Sequence, residues 1–197
     1  MTGPVPDDER SGDRAGPDAE QALICGLKAR DAAAIRQVYR LYADAIYRFA
    51  LYQLGDQAAA EDVVGEVFLR MLSTIDRYEY RGVPLQAYLY RIARNLIVDQ
   101  QRRQGRFASL DAPPERLALS QNPAQLAEQR LAWEDLRHAL RELTEEQRQV
   151  VLLKFVEDLD NKQVAEIMGK NEGSVKSLQH RALGALRRIL ERQPRGT

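Results

Sequence analysis

Between Asp31 and Gly55 the apolar side chains Ile35, Val38, Tyr42, Ile46 and Phe49 recur three or four residues apart, which puts them on one face of a helix. Runs of β-branched and aromatic residues alternating with polar ones, the mark of a strand, are hard to find elsewhere in the chain. The fold class expected is all-α. Asp31 has the short acceptor of an N-cap, and Gly55 can take the left-handed conformation that ends a helix after Leu54. Asp56 then caps a second helix. Its apolar stripe is Ala60, Val63, Val64, Val67, Phe68, Met71, Leu72 and Ile75, with Asp62, Glu66 and Arg70 on the outer face. A loop from Arg77 to Pro84 leads to a third helix with Leu85, Leu89, Ile92, Ala93 and Leu96 inward.

The remaining signals divide the chain into four parts. Residues 1–19 hold Pro4, Pro6, Pro17 and many charges with almost nothing apolar, and read as a disordered acidic tail. Residues 20–104 form the first helical domain. Residues 105–121, with Gly105, Pro113 and Pro114, have the composition of a flexible linker. Residues 122–197 form a second helical domain. There Asn122 and Pro123 open a helix through Leu126, Trp133, Leu136, Leu140 and Leu143. Thr144 and Gln147 form a capping box before a helix with Val150, Val151, Leu153 and Phe155. Asp160 caps a short helix ending at Gly169, and Asn171 caps a last one running to about Glu191 through Val175, Leu178, Leu183, Leu186 and Leu190.

The formal net charge of the 197 residues is zero, a poor omen for a protein that binds phosphates. Patterning changes that reading. The head carries Asp7, Asp8, Glu9, Asp13, Asp18 and Glu20, whereas the end carries Lys176, Arg181, Arg187, Arg188, Arg192 and Arg195. A second basic stretch, Arg91, Arg94, Arg102, Arg103 and Arg106, lies mid-chain. Cys25 is the single cysteine, and His138 and His180 are the only histidines. A disulfide, a structural metal or another cofactor is therefore not expected, and Cys25 reads as a half-buried helix residue. No apolar run reaches membrane-spanning length, and the acidic N-terminus is unlike a secretory signal, so a cytoplasmic protein without membrane insertion is expected. The phosphate-binding glycine loop, the HExxH motif and the nucleophile elbow are all absent from the sequence, and catalysis is not expected.

From Asn161 to Leu178 the residues fit a helix-turn-helix. Ala165 is small enough for close helix crossing, Gly169 suits the turn, and Val164, Val175 and Leu178 can fill the angle between the helices. The second helix then offers Ser174, Lys176, Ser177, His180 and Arg181 to base edges and phosphates. The plainer alternative is a helical hairpin with a solvated basic face. A repressor with a ligand-binding or dimerising first domain is a further alternative.

The stretch Ala60-Glu61-Asp62-Val63-Val64-Gly65-Glu66-Val67-Phe68-Leu69-Arg70 resembles the polymerase-clamp helix of the extracytoplasmic-function group of the bacterial sigma-seventy family. Similarly, Tyr88-Leu89-Tyr90-Arg91-Ile92-Ala93-Arg94-Asn95 resembles that family's promoter-melting helix. The resemblance implies a transcription initiation factor that binds core RNA polymerase, through the clamp coiled coil of its largest subunit and its flap, and directs it to promoter DNA. It implies polymerase contacts at Asp62, Glu66, Leu69 and Arg70, and minus-ten contacts at Tyr78, Tyr80, Arg81, Tyr88, Arg91 and Asn95. The helix-turn-helix residues would read the minus-thirty-five element, and an anti-sigma factor is an implied partner. Gly65 stands where the family usually has glutamine, and Tyr88 where it commonly has tryptophan.

Overall fold

The computed structural model describes residues 17–80, 83–104 and 138–192. Among them the regular structure is helical, in two modules that pack against each other. The first comprises α1 (Pro17–Lys28), α2 (Ala32–Leu54), α3 (Gln57–Thr74), a short 3₁₀ turn (Ile75–Arg77) and α4 (Leu85–Gln104). The second comprises helical residues 138–142, α5 (Glu145–Val151) running into a π-helical turn (Leu152–Val156), α6 (Asn161–Met168) and α7 (Glu172–Arg192). The expected linker, the helix opening at Asn122 and Pro123, and Leu126, Trp133 and Leu136 all lie outside the described residues.

The caps work as their sequences imply. Asp31 accepts from the Ala34 amide at 2.9 Å and Asp56 from the Ala59 amide at 2.7 Å, while Gly55 sits at φ 72°. Each aspartate satisfies an amide that has no partner inside its own helix. Thr144 with Gln147, and Asp160 with Gln163, both close as reciprocal capping boxes. α2, α3 and α4 then pack on one another through Val38, Ile46, Phe49, Val63, Val67, Met71, Leu85, Leu89, Ala93 and Ile97, all buried.

Helical structure begins earlier than the tail assignment to residue 19 allowed. Pro17 takes the first helical position, where a missing N–H costs nothing, and Asp18 and Glu20 lie in the positive first turn. Leu23, Ile24 and Leu27 bury themselves against the first module. Glu20, counted in sequence as part of an acidic head, accepts a hydrogen bond from the Leu85 amide and so caps α4 from 65 residues away. Cys25 is exposed, not half-buried, because the buried stripe of α1 falls on its neighbours.

Other differences arise where helical register shifts. The π-helical turn inserts extra backbone between Leu152 and Val156, so Phe155 rotates outward to 53% exposure while Leu152 and Leu153 stay buried. On α7 the buried stripe is Val175, Leu178, Ala182 and Ile189, leaving Leu183 and Leu190 exposed. Tyr90, which carried no inward assignment, is fully buried and meets Phe49 edge to face at 5.4 Å.

The modules are joined by polar contacts at the end of α2. Arg148 of α5 is only 7% exposed and donates through Nη1 to the Gln53 carbonyl at 3.0 Å and through Nε to the Leu140 carbonyl at 3.0 Å. Gln53 is in the last turn of α2, whose carbonyls lack intrahelical partners and carry the negative end of the helix dipole. Burial lowers the Arg148 guanidinium to about 10, so it stays protonated at neutral pH.

Three substitutions test this packing by urea denaturation. A Cβ on Gly26 would lie 2.7 Å from the Ala34 Cβ, so Gly26→Ala is expected to destabilise by about 1–3 kcal/mol through overpacking. A Cβ on Gly65 meets nothing within 4 Å, so Gly65→Ala is expected to stabilise by up to about 1 kcal/mol through helix propensity alone. Arg148→Ala, which strips a charged donor from buried carbonyls, is expected to cost at least about 1.5–3 kcal/mol.

Candidate nucleic-acid interface

The second module holds a helix-turn-helix. Its turn is closed by the Lys170 amide donating to the Ala165 carbonyl at 2.9 Å, with Gly169 at φ 62° between α6 and α7. Val164, Ala165, Val175 and Leu178 are buried in the angle between the two helices. Asn171 accepts from the Ser174 amide at 2.8 Å and so fixes where α7 begins. With the apolar positions turned inward, Ser174, Lys176, Ser177, His180 and Arg181 are all exposed along one side of the front half of α7. Ser174, Ser177 and Arg181 also line a shallow groove of about 510 Å³ together with Lys170 and Glu146, which pair at 2.8 Å. Lys170 escaped the sequence reading because it precedes the helix whose periodicity carried the argument.

In the first module Tyr78, Tyr88 and Arg91 line a cleft of about 400 Å³ with Thr74, Val83 and Ala87. The Tyr78 and Tyr88 rings lie 4.7 Å apart at 44°. Tyr78 donates its hydroxyl to the Val83 carbonyl at 2.8 Å, and the Tyr88 hydroxyl bonds to Thr74. Burial, with help from Glu20, pushes the Tyr78 phenol well above its usual range, so it remains a neutral donor. Tyr80 is exposed outside the cleft lining, and Asn95 is exposed one turn beyond Arg91 on α4. Arg81 lies outside the described residues.

On α3, Asp62, Glu66 and Arg70 border a second groove, of about 300 Å³, shared with Leu96, Asp99, Gln100 and Arg103 of α4. Leu69 beside them is 65% exposed. Glu66 does not present a bare carboxylate: Arg70, one turn on, donates to it at 2.6 Å. The groove thus offers mixed charge around an exposed leucine.

One cluster was invisible in the sequence. Glu157, at the end of the π-helical turn, has a side chain only 3% exposed. It accepts a hydrogen bond from the buried Tyr90 hydroxyl of α4 and lies 3.7 Å from Arg48 of α2. Burial pushes the Glu157 carboxyl above its usual range, against the opposing pull of Tyr90 and Arg48. Nearby, Arg94 donates to the Gln149 side chain at 2.9 Å, and Arg91 pairs with Glu166 of α6 at 3.3 Å. Each pair joins segments more than fifty residues apart, so no local spacing announces it.

Among the described residues, no group of three His, Cys, Asp or Glu side chains could hold a metal ion. No helix among them is long and apolar enough to cross a membrane.

Comparison with known proteins agrees with this geometry. Residues 38–107 match the family model for Sigma-70 region 2, and residues 133–186 match that for Sigma-70 region 4. The chain is 36% identical over 171 residues to the ECF RNA polymerase sigma factor BldN of Streptomyces coelicolor, covering 85% of this chain and 64% of that relative. It is 35% identical over 176 residues to the ECF RNA polymerase sigma factor SigL of Mycobacterium tuberculosis, covering 86% of this chain and 96% of SigL. The fold is also that of CnrH, solved in complex with the cytosolic domain of CnrY (TM-score 0.67, 18% identity, 89% of this chain and 99% of that one). RpoE of Bartonella quintana, solved with the anti-sigma factor NepR, is similar as well (TM-score 0.63, 24% identity, 81% and 98%). With both regions matched in order and a relative of nearly equal length at 35% identity, the chain belongs to the sigma-70 family, as a transcription initiation sigma factor of the ECF group.

Proposed function

We propose that this sigma factor directs core RNA polymerase to specific promoters by dividing the work between its modules. α7 docks in the major groove of the minus-thirty-five element, and the first module captures strand-separated bases of the minus-ten element. The observation that carries this reading is the exposed row Ser174, Lys176, Ser177, His180 and Arg181 on a helix whose opposite side is locked into the helix-turn-helix core. A major groove admits a single helix, and long donors on its front edge reach both phosphates and base edges.

The minus-ten function rests on the cleft of Tyr78, Tyr88 and Arg91. Its aromatic faces can stack on unpaired bases, and its cation can hold a phosphate. Extruding a base costs a few kcal/mol, which such a pocket offsets. Tyr80 and Asn95 extend the same surface in this reading, and the sequence assigns Arg81 to the same contact. Asp62, Glu66, Leu69 and Arg70 face the clamp coiled coil of the polymerase largest subunit, where Leu69 gives apolar contact and the charged pair gives specificity. The flap of the polymerase engages the second module. An anti-sigma factor is a further partner, by analogy with the complex that contains RpoE and NepR. The chain performs no chemistry itself; the polymerase supplies it. Its place of action is the cytoplasm.

Run-off transcription with core polymerase tests the division of labour. Lys176→Ala and Arg181→Ala are each expected to weaken recognition of the upstream element by about 1–3 kcal/mol, roughly five- to 150-fold, with core binding retained. Loss of core binding in both variants, or undiminished use of the upstream element, would contradict the assignment.

A further inference from the structure

The groove beside the front of α7 holds a charge that its proposed use does not call for. Ser174, Ser177 and Arg181 line it together with Lys170 and Glu146, and Glu146 is the one acid among the described residues of the lining. DNA brings phosphates to such a groove, and a carboxylate there repels them. The Glu146 side chain is half exposed and could lie in water, yet its Oε1 is 2.8 Å from the Lys170 ammonium. Its neighbour Glu145 is engaged within α5 instead, where the Gln149 side chain donates to it at 3.1 Å.

Both ends of this pair stand on backbone that is fixed independently of it. The Lys170 amide closes the turn by donating to the Ala165 carbonyl, and its side chain is only 28% exposed. A lysine of this kind covers its stem and keeps its charged head at the surface. Glu146 stands inside the capping box of Thr144 and Gln147, which sets the start of α5. Parting the two charges therefore moves two side chains and leaves the caps and the turn in place. An ion pair this exposed contributes little to folding, so a tie between α5 and the turn is a weak account of it. A phosphate, by contrast, can take the place of the carboxylate at the ammonium through the same kind of charge-assisted hydrogen bond.

We propose, resting on the minus-thirty-five reading above, that Lys170 is a further contact to the DNA backbone and that Glu146 is its counter-charge. Glu146 acts as a positioning residue: it holds the ammonium at the groove and yields it to a phosphate when DNA docks. The exchange has a thermodynamic signature. A lysine already paired with a carboxylate brings less net positive charge to the duplex, so fewer counterions leave when it binds. Glu146 thus weakens the sequence-independent part of the affinity and leaves base reading to the exposed row on α7.

Holoenzyme assembled from the full chain and core polymerase tests this, with core polymerase alone as the blank. Fluorescence anisotropy follows binding to a short duplex carrying the upstream element, and to the same duplex with one base pair of the element changed, over about 50 to 200 mM salt. Glu146→Gln is expected to raise affinity for both duplexes by about three- to tenfold at the low end, and to steepen the slope of log affinity against log salt by about one. The ratio between the two duplexes is expected to stay as it was, because a backbone contact carries no sequence information. Lys170→Ala is expected to weaken binding to both, and in that background Glu146→Gln is expected to gain little. A merely structural tie would lower the urea midpoint of Glu146→Gln and leave its salt slope alone. Weaker binding of Glu146→Gln to the intact element, with a smaller ratio between the duplexes, would mean that Glu146 accepts from a base and would overturn the proposal. An unchanged slope, or the full gain without Lys170, overturns it as well. The minus-thirty-five reading fails on Lys176→Ala and Arg181→Ala in transcription, so the two failures are separable.

Discussion

The end of α2 is the point on which both modules depend. A helix of 23 residues must finish with carbonyls that no residue of its own can satisfy, and at Gln53 that carbonyl is buried. Gln101 from α4 and Arg148 from α5 both donate to it. One oxygen thus ties the long helix of the first module to its neighbour and to the second module. Arg148 also holds the Leu140 carbonyl, so the same guanidinium fixes the entry to α5. With α5 so anchored, the π-helical turn delivers Glu157 to Tyr90 and Arg48, and α6 comes to lie along α4. A cation at the negative end of a helix is favourable in its own right, and burial makes the geometry strict.

The zero net charge takes on a different meaning in this arrangement. Charge is not absent but matched across modules: Arg48 and Arg91 of the first meet Glu157 and Glu166 of the second. Arg70 is quenched locally by Glu66, and Lys170 by Glu146. The front of α7 stays outward, with Lys176, His180 and Arg181 exposed. A chain neutral in sum can therefore still present a basic helix face.

Local signals were legible in the sequence because their physics is local. The caps at Asp31, Asp56, Thr144, Asp160 and Asn171, and the left-handed glycines 55 and 169, each depend on residues within one turn. The helix-turn-helix was legible for the same reason, as was the exposed row on α7. Phe155 was misjudged because nothing in its neighbourhood forecasts a π-helical turn, and one inserted residue rotates everything after it. Leu183 and Leu190 were misjudged because apolar residues surround much of α7, and the choice of buried stripe belongs to the partner helix. Glu20 looked like part of a solvated acidic head until α4 supplied an amide that needed an acceptor. The partners of Tyr90 and Arg91 lie 67 and 75 residues away, and pairing over such distances is a property of the fold alone.

The chemistry of the intermodule contact also bears on how strongly it can hold. Burying a carboxylate costs several kcal/mol, and the attraction of Arg48 and the Tyr90 hydroxyl offsets that only in part, since the Glu157 carboxyl remains shifted toward its neutral form. A buried ion pair of this kind contributes little net stability against a well-packed apolar substitute. It does discriminate sharply between correct and incorrect docking, because any displacement leaves a charge or hydroxyl unpaired inside protein. These polar contacts therefore set the register of modules whose buried apolar residues form one continuous cluster.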